Sequence, residues 1–204
     1  MNCKLTGNFA KMIQVELAPG EEFYGERGST IYIEDGITMT SEGNGKSLGK
    51  LLGAKLSGES FLIVHFRNNS HETRRLALGK HTCITHVKID PSSSLICKSG
   101  AYFASNRHVD IDTRLSIASL FGGNGALLQR LSGDATVFLE CFGDPVVIDL
   151  QYGQKVRVDE NHFLAAQGIS DGKISPDWSL KNIFGGEGLS LLEITGPGRV
   201  FVNP

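Results

Sequence analysis

Three patterns in this chain have the residue types and spacing that chemistry uses. The first is Gly43-Asn44-Gly45-Lys46-Ser47, the ending of a phosphate-binding loop, in which backbone N–H groups wrap the phosphates and a lysine reaches them. The full pattern, GxxxxGK[ST], needs a glycine where this chain has Thr40. Gly49 and Gly53 would also break the helix that has to follow. Val146-Val147-Ile148-Asp149 imitates an acidic magnesium-holding strand but lacks the βαβ context. The loop reads as solvated and glycine-rich.

The second pattern is His81, Cys83 and His86, spaced HxCxxH. On a strand His81 and Cys83 share a face while His86 points to the other, so the three do not converge on one ion. The third is Asp110, Asp112 and Arg114, alternating along one face. Paired carboxylates can do acid–base work, but an arginine beside them favours an ion-paired edge strand that discourages pairing with other chains. There is no nucleophile elbow of the GxSxG type. The four cysteines, Cys3, Cys83, Cys97 and Cys141, are far apart, with no CxxC pair, and read as buried or incidental thiols. None of these patterns requires a metal or a cofactor, and none supports a catalytic assignment.

The elements that would position such residues are strands. Apolar residues alternate at Ile13, Val15 and Leu17, at Ile31 and Ile33, and at Val156 and Val158, the period-2 pattern of β-structure. Helical periodicity is nearly absent; short helical turns are predicted only near Leu48 to Lys55. Glycine is in excess, 25 of 204 residues, without the Gly-x-y period of collagen. The net charge is −2. The densest basic cluster is Arg74-Arg75 with Lys80 nearby, which argues against nucleic acid as a partner. The first residues, MNCKLTGNFA, show neither a signal nor a transit peptide. No apolar run approaches the ~20 residues of a spanning helix. A cytoplasmic location is the expectation.

Self-comparison finds an internal repeat. Leu17–Tyr32, Ile89–Ala104 and Leu150–Ala165 align without gaps: an aliphatic residue, a turn (Pro19-Gly20, Pro91-Ser92, Tyr152-Gly153), an anchor (Phe23, Leu95, Val156) and a second turn at Gly28, Gly100 or Asn161. Glycine and asparagine tolerate the positive φ that such turns use. A second block recurs as FGGNGALLQRLSGDATVF (Phe121–Phe138) and FGGEGLSLLEITGPGRVF (Phe184–Phe201), identical at eight of eighteen positions. Leu56-Ser57-Gly58-Glu59 keeps its end in the first unit. The chain is predicted to be one domain over residues 1–204. It is built of three β-sandwich-like repeats, at about 10–77, 82–143 and 144–204, packed round a pseudo-threefold axis. Such packing would bury faces and edges that a lone unit exposes.

Three glycine-rich apolar segments precede the turns of the second block. Under a threefold they would lie at one end of the particle. Leu51, Leu52, Leu120, Phe121, Ile183 and Phe184 would then form an apolar rim for contact with another copy, a partner protein or a membrane surface.

The FGGxG blocks, LQRLSGDATVF, the Leu150-Gly153-Val158-Asp159 stretch, the closing FGGEGLSLLEITGPGRVFV and LAPGEEFYGERG together resemble the altered-inheritance-of-mitochondria family over nearly the whole chain. The resemblance implies a β-sandwich fold of the tryptophan RNA-binding attenuation protein-like superfamily, three units to the chain. Mitochondrial relatives are associated with inner-membrane organisation and complex assembly, and no catalytic residues are established that could be carried over. With no transit peptide in view, a prokaryotic member is expected. The leading functional expectation is a non-enzymatic scaffold or assembly protein, acting as a homo-oligomer or on a partner protein. A second reading is a small-molecule-binding protein or enzyme with its site between repeats; RNA binding ranks below both.

Overall fold

The alternating stretches form strands. In the computed structural model, residues 1–8, 10–43, 62–116, 127–177 and 191–204 are described. Among them nineteen strands, numbered β1 to β19 along the chain, and a single 3-10 turn at Asp171–Lys173 make up the regular structure. Antiparallel pairing prevails throughout, and the chain is all-β. The short helical turns expected near Leu48 to Lys55 lie outside the described residues.

The contacts divide the chain into two units. One contains residues 1–88, 102–109 and 134–143; the other contains 89–101, 110–133 and 144–204. In the first, β1 (Asn2–Thr6), β2 (Met12–Leu17), β4 (Thr30–Ile33) and β7 (Arg74–Gly79) form a sheet in the order β1-β2-β7-β4. A second sheet joins β5 (Ile37–Gly43), β6 (Leu62–Asn68), β3 (Glu22–Glu26), β10 (Tyr102–Ser105), β13 (Ala135–Cys141) and β8 (Cys83–Ile89), in that order. Period-2 alternation turns Ile13, Val15 and Leu17 inward from β2, where they meet Phe23, Phe66, Leu76, Leu78, Phe103 and Phe138 in one apolar cluster. Each such fully buried side chain contributes roughly 1.5–3 kcal/mol through loss of apolar surface to water.

The other unit repeats this two-sheet plan. β11 (Asp110–Ser116), β12 (Leu127–Ser132), β9 (Leu95–Lys98), β16 (Phe163–Gln167), β19 (Gly198–Val202) and β14 (Val146–Leu150) form a sheet in that order. β15 (Lys155–Asp159), β18 (Leu191–Thr195) and β17 (Ile174–Pro176) form another, with β18 central. Its core gathers Phe163, Leu192, Ile194 and Val200 with Ile96 and Val158.

Two local expectations change in detail. Gly28 and Gly100 adopt φ of +85° and +79°, as their turns require. Asn161 does not, because no non-glycine residue among those described has positive φ. Its turn is instead closed by Asp159, whose Oδ1 accepts from the Asn161 backbone N–H at 2.8 Å and whose carbonyl accepts from His162 N–H at 3.0 Å. Ile31 and Ile33, read as an alternating apolar pair, are 54% and 38% exposed. They stand on β4, an edge strand of its sheet, where alternation finds no covering layer.

Candidate functional site

The sequence-derived candidates do not assemble into a reaction centre. Gly43 ends β5, and Asn44 to Ser47 lie outside the described residues. His81 is exposed before β8, Cys83 is buried at its start and His86 is exposed further along it, so the strand pleat separates them. Among the described residues no three His, Cys, Asp or Glu side chains gather as metal ligands. Asp110 and Asp112 lie on β11, an edge strand. The side chain of Arg114 falls outside what is described, and so do all six residues of the expected rim, Leu51, Leu52, Leu120, Phe121, Ile183 and Phe184.

Single-residue reading of the sequence missed a polar cluster on β3 and β6. The register sets Glu22 opposite Arg67 and Tyr24 opposite His65. Tyr24 and His65 stack with ring centroids 4.9 Å apart. Glu22 receives hydrogen bonds from Tyr24 Oη and Arg67 Nη1, each at 3.2 Å. His65 Nε2 stands 3.3 Å from Glu22 Oε2, and its Nδ1 lies 3.4 Å from Thr40 Oγ1. The line Thr40, His65, Glu22 imitates a hydroxyl–imidazole–carboxylate relay. A relay of that kind also needs free backbone N–H donors for the oxyanion. Here β6 is flanked by β3 and β5, which engages its backbone in ladders on both sides. The cluster therefore reads as cross-strand pairing that stabilises the sheet. The only signal in the sequence is the matched alternation, Glu-x-Tyr and His-x-Arg.

The basic cluster of Arg74, Arg75 and Lys80 is neutralised where it stands. Arg74 pairs with Glu72 at 3.0 Å and Arg75 with Glu34 at 2.8 Å. Lys80 lies between Glu26 at 2.6 Å and Glu140 at 3.0 Å. Partial burial alone would lower the Lys80 pKa; hydrogen bonds to the two carboxylates outweigh it and raise the value above the usual lysine range. These three cations are thus paired locally, whereas phosphate recognition draws on cations left open to solvent.

Burial works against activation of two of the thiols, Cys3 and Cys97. Cys83, Cys97 and Cys141 are buried and Cys3 is half-buried, and all four are in the thiol form, outside any disulfide. Burial pushes the Cys97 thiol up to about 12, against a lowering hydrogen bond from Gln129, and pushes Cys3 up to about 11. A thiolate nucleophile requires the opposite shift.

What the surface does offer is open strand edge. β4 pairs on one side only, with β7, and exposes Ile31, Tyr32 (40%) and Ile33 in succession. An edge without lysine, proline or inward charge is a template for another strand. β15 pairs on one side only as well, with β18. It carries Lys155, bonded to Glu193 at 2.6 Å, and Arg157, bonded to Asp177 at 2.7 Å.

Antiparallel sheets with apolar cores and an exposed apolar strand edge define an all-β protein. The chain belongs to the mitochondrial biogenesis AIM24 family, whose profile matches residues 3–204. An uncharacterized protein of Streptococcus pyogenes serotype M6 is 25% identical over 202 residues, covering 94% of this chain and 80% of that protein. The crystal structure of a Streptococcus pyogenes protein, a structural-genomics target, shares the fold with a TM-score of 0.71 at 20% identity, over 100% of this chain and 93% of that one. Among the described residues no helix is long and apolar enough to cross a membrane.

Proposed function

We propose that this protein is a non-enzymatic scaffold or assembly protein that works through protein contacts. The observation that carries this reading is the β4 edge, with three consecutive apolar residues exposed on an unpaired strand. The burial of the Cys3 and Cys97 thiols and the local pairing of Arg75 and Lys80 support it, and the apolar rim read from Leu51, Leu52, Leu120, Phe121, Ile183 and Phe184 is a further contact surface within it.

The same reading takes the chain as three copies of one six-strand repeat. Support comes from strand order: β2-β7-β4 recurs as β8-β13-β10 and β14-β19-β16, while β5-β6-β3 recurs as β11-β12-β9 and β17-β18-β15. The third strand of every copy also carries a register shift at the equivalent place, at Ile31, Phe103 and Leu164. A bulge that recurs in register is a designed feature and not a defect. Three repeats in tandem present related surfaces in one chain, which suits a scaffold.

Light scattering and partner capture from lysate test the function. We expect an assembly larger than one chain, or partners lost on Phe121→Ser and Phe184→Ser. A strict monomer whose captured partners are unchanged by either substitution overturns the reading.

A further inference from the structure

We infer that two copies of this chain join through the outer edge of β14, the two strands meeting antiparallel about a two-fold axis at Ile148. This rests on the contact-protein reading above and assigns it a surface and a partner, a second copy of this chain.

β14 stands at one end of its sheet and pairs with β19. By strand order its counterparts are β2 and β8. The ladders that link one repeat to the next run through the opposite strand of each set, β10 to β3 and β16 to β9, so β14 lies away from them. The three equivalent edges differ in what guards them. That of β2 is covered by β1, from Asn2 opposite Glu16 to Thr6 opposite Met12. Leu17, Ile89 and Leu150 share a position in the aligned segments. Counting back from them sets Gln14 and Glu16 level with His86 and Lys88, and with Val147 and Asp149. β8 leaves His86 and Lys88 exposed, and a lysine on an edge deters pairing. Among the described strands none covers β14, and it carries no lysine. Val146 is 56% and Val147 50% exposed there.

This edge is complementary to itself. Facing residues of a ladder project from the same side of the sheet, so β14 meets its own copy with residues an even number apart opposite each other. Centring on Ile148 engages all five residues of the strand. Ile148 then faces the second copy's Ile148, Val146 its Leu150 and Val147 its Asp149. The ladder with β19 places Val200 opposite Ile148 and Val202 opposite Val146. The row Val200, Ile148, Ile148, Val200 thus crosses both copies as a line of β-branched side chains, neighbours that stabilise a sheet. Ile148 and Leu150 already pack on the core of their unit, and the pairing extends that core across the axis. Asp149, bonded to Arg199 at 3.1 Å, adds no attraction. It fixes the register, because centring on Asp149 would set two carboxylates face to face.

Sedimentation velocity should show a wild-type dimer. Val147→Asp, at an exposed position, sets a carboxylate opposite Asp149 on both sides of the axis and should weaken the dimer about tenfold. Cysteine cross-linking tests the register, in a Cys3→Ser background because the other three thiols are buried. A Val147→Cys chain mixed with an Asp149→Cys chain should give a two-chain disulfide product on mild oxidation. Neither chain should do so alone, because like positions stand diagonal to each other, too far apart for a disulfide. A dimer that Val147→Asp leaves intact, or one that gives no mixed cross-link, overturns the junction and leaves the contact reading standing. So does a strict monomer whose captured partners are lost on Phe121→Ser and Phe184→Ser. A strict monomer whose captured partners are unchanged by either substitution overturns both.

Discussion

Gly198 lies hard against the backbone of Gln167: a Cβ on Gly198 would fall 2.6 Å from the Gln167 carbonyl oxygen, and 2.5 Å from Ile169 Cγ1. Gly198 opens β19, and its φ of +147° is one that L side chains rarely adopt. Gly198→Ala therefore adds backbone strain to a clash that a carbonyl cannot relieve by rotating away. We expect a loss of about 3 kcal/mol, read as a drop in the denaturation midpoint with an unchanged slope. Wild-type stability in this variant would refute the close approach.

Asn68 is fully buried and organises the loop after β6. Its Nδ2 donates to the carbonyls of Leu17 at 2.8 Å and Glu72 at 2.7 Å, and its Oδ1 accepts from the N–H of Ser70 at 2.9 Å. Asn68→Ala leaves buried carbonyls without donors, for a loss of about 2–3 kcal/mol. Asn68→Asp should do as badly, because a carboxylate cannot donate to them. Chemical denaturation of the two variants side by side checks this.

Glu34 predicts a pH dependence with a definite sign. Its carboxylate accepts from the Arg75 backbone N–H at 2.8 Å and from Arg75 Nε at 2.9 Å. Those hydrogen bonds, the backbone one foremost, hold its pKa below the ordinary glutamate value of 4.5. A carboxyl depressed in the folded state stabilises at pH above its unfolded value and loses that stabilisation as pH falls through the folded one. Glu34→Gln should thus melt below wild type at pH 7, and the two curves should meet in acid. A gap that persists below the carboxylate range would sink the assignment.

Thiol labelling separates the folded from the unfolded chain. With Cys97 pushed up to about 12 and Cys3 to about 11 by burial, a disulfide reagent at pH 8 should modify neither quickly in the native protein. All four cysteines should react at once in guanidinium. A native burst of reactivity would mean an activated thiol and would reopen covalent chemistry.

The amino-acid sequence alone determined the all-β class and the inward face of β2, because period-2 alternation and turn glycines act within a few residues. It also determined that His81, Cys83 and His86 could not share a face, since the pleat is local. Only the tertiary structure decided which strands pair. Residues 83–141 supply β8, β10 and β13 to one unit and β9, β11 and β12 to the other, and no local pattern specifies that division. Partner choice depends on packing between residues far apart in the chain, as in Tyr24 against His65. The same holds for exposure. Ile31 and Ile33 alternate as well as Ile13 and Val15 do, yet they face solvent, because periodicity states that a strand has an apolar face and only its neighbours decide whether that face is covered.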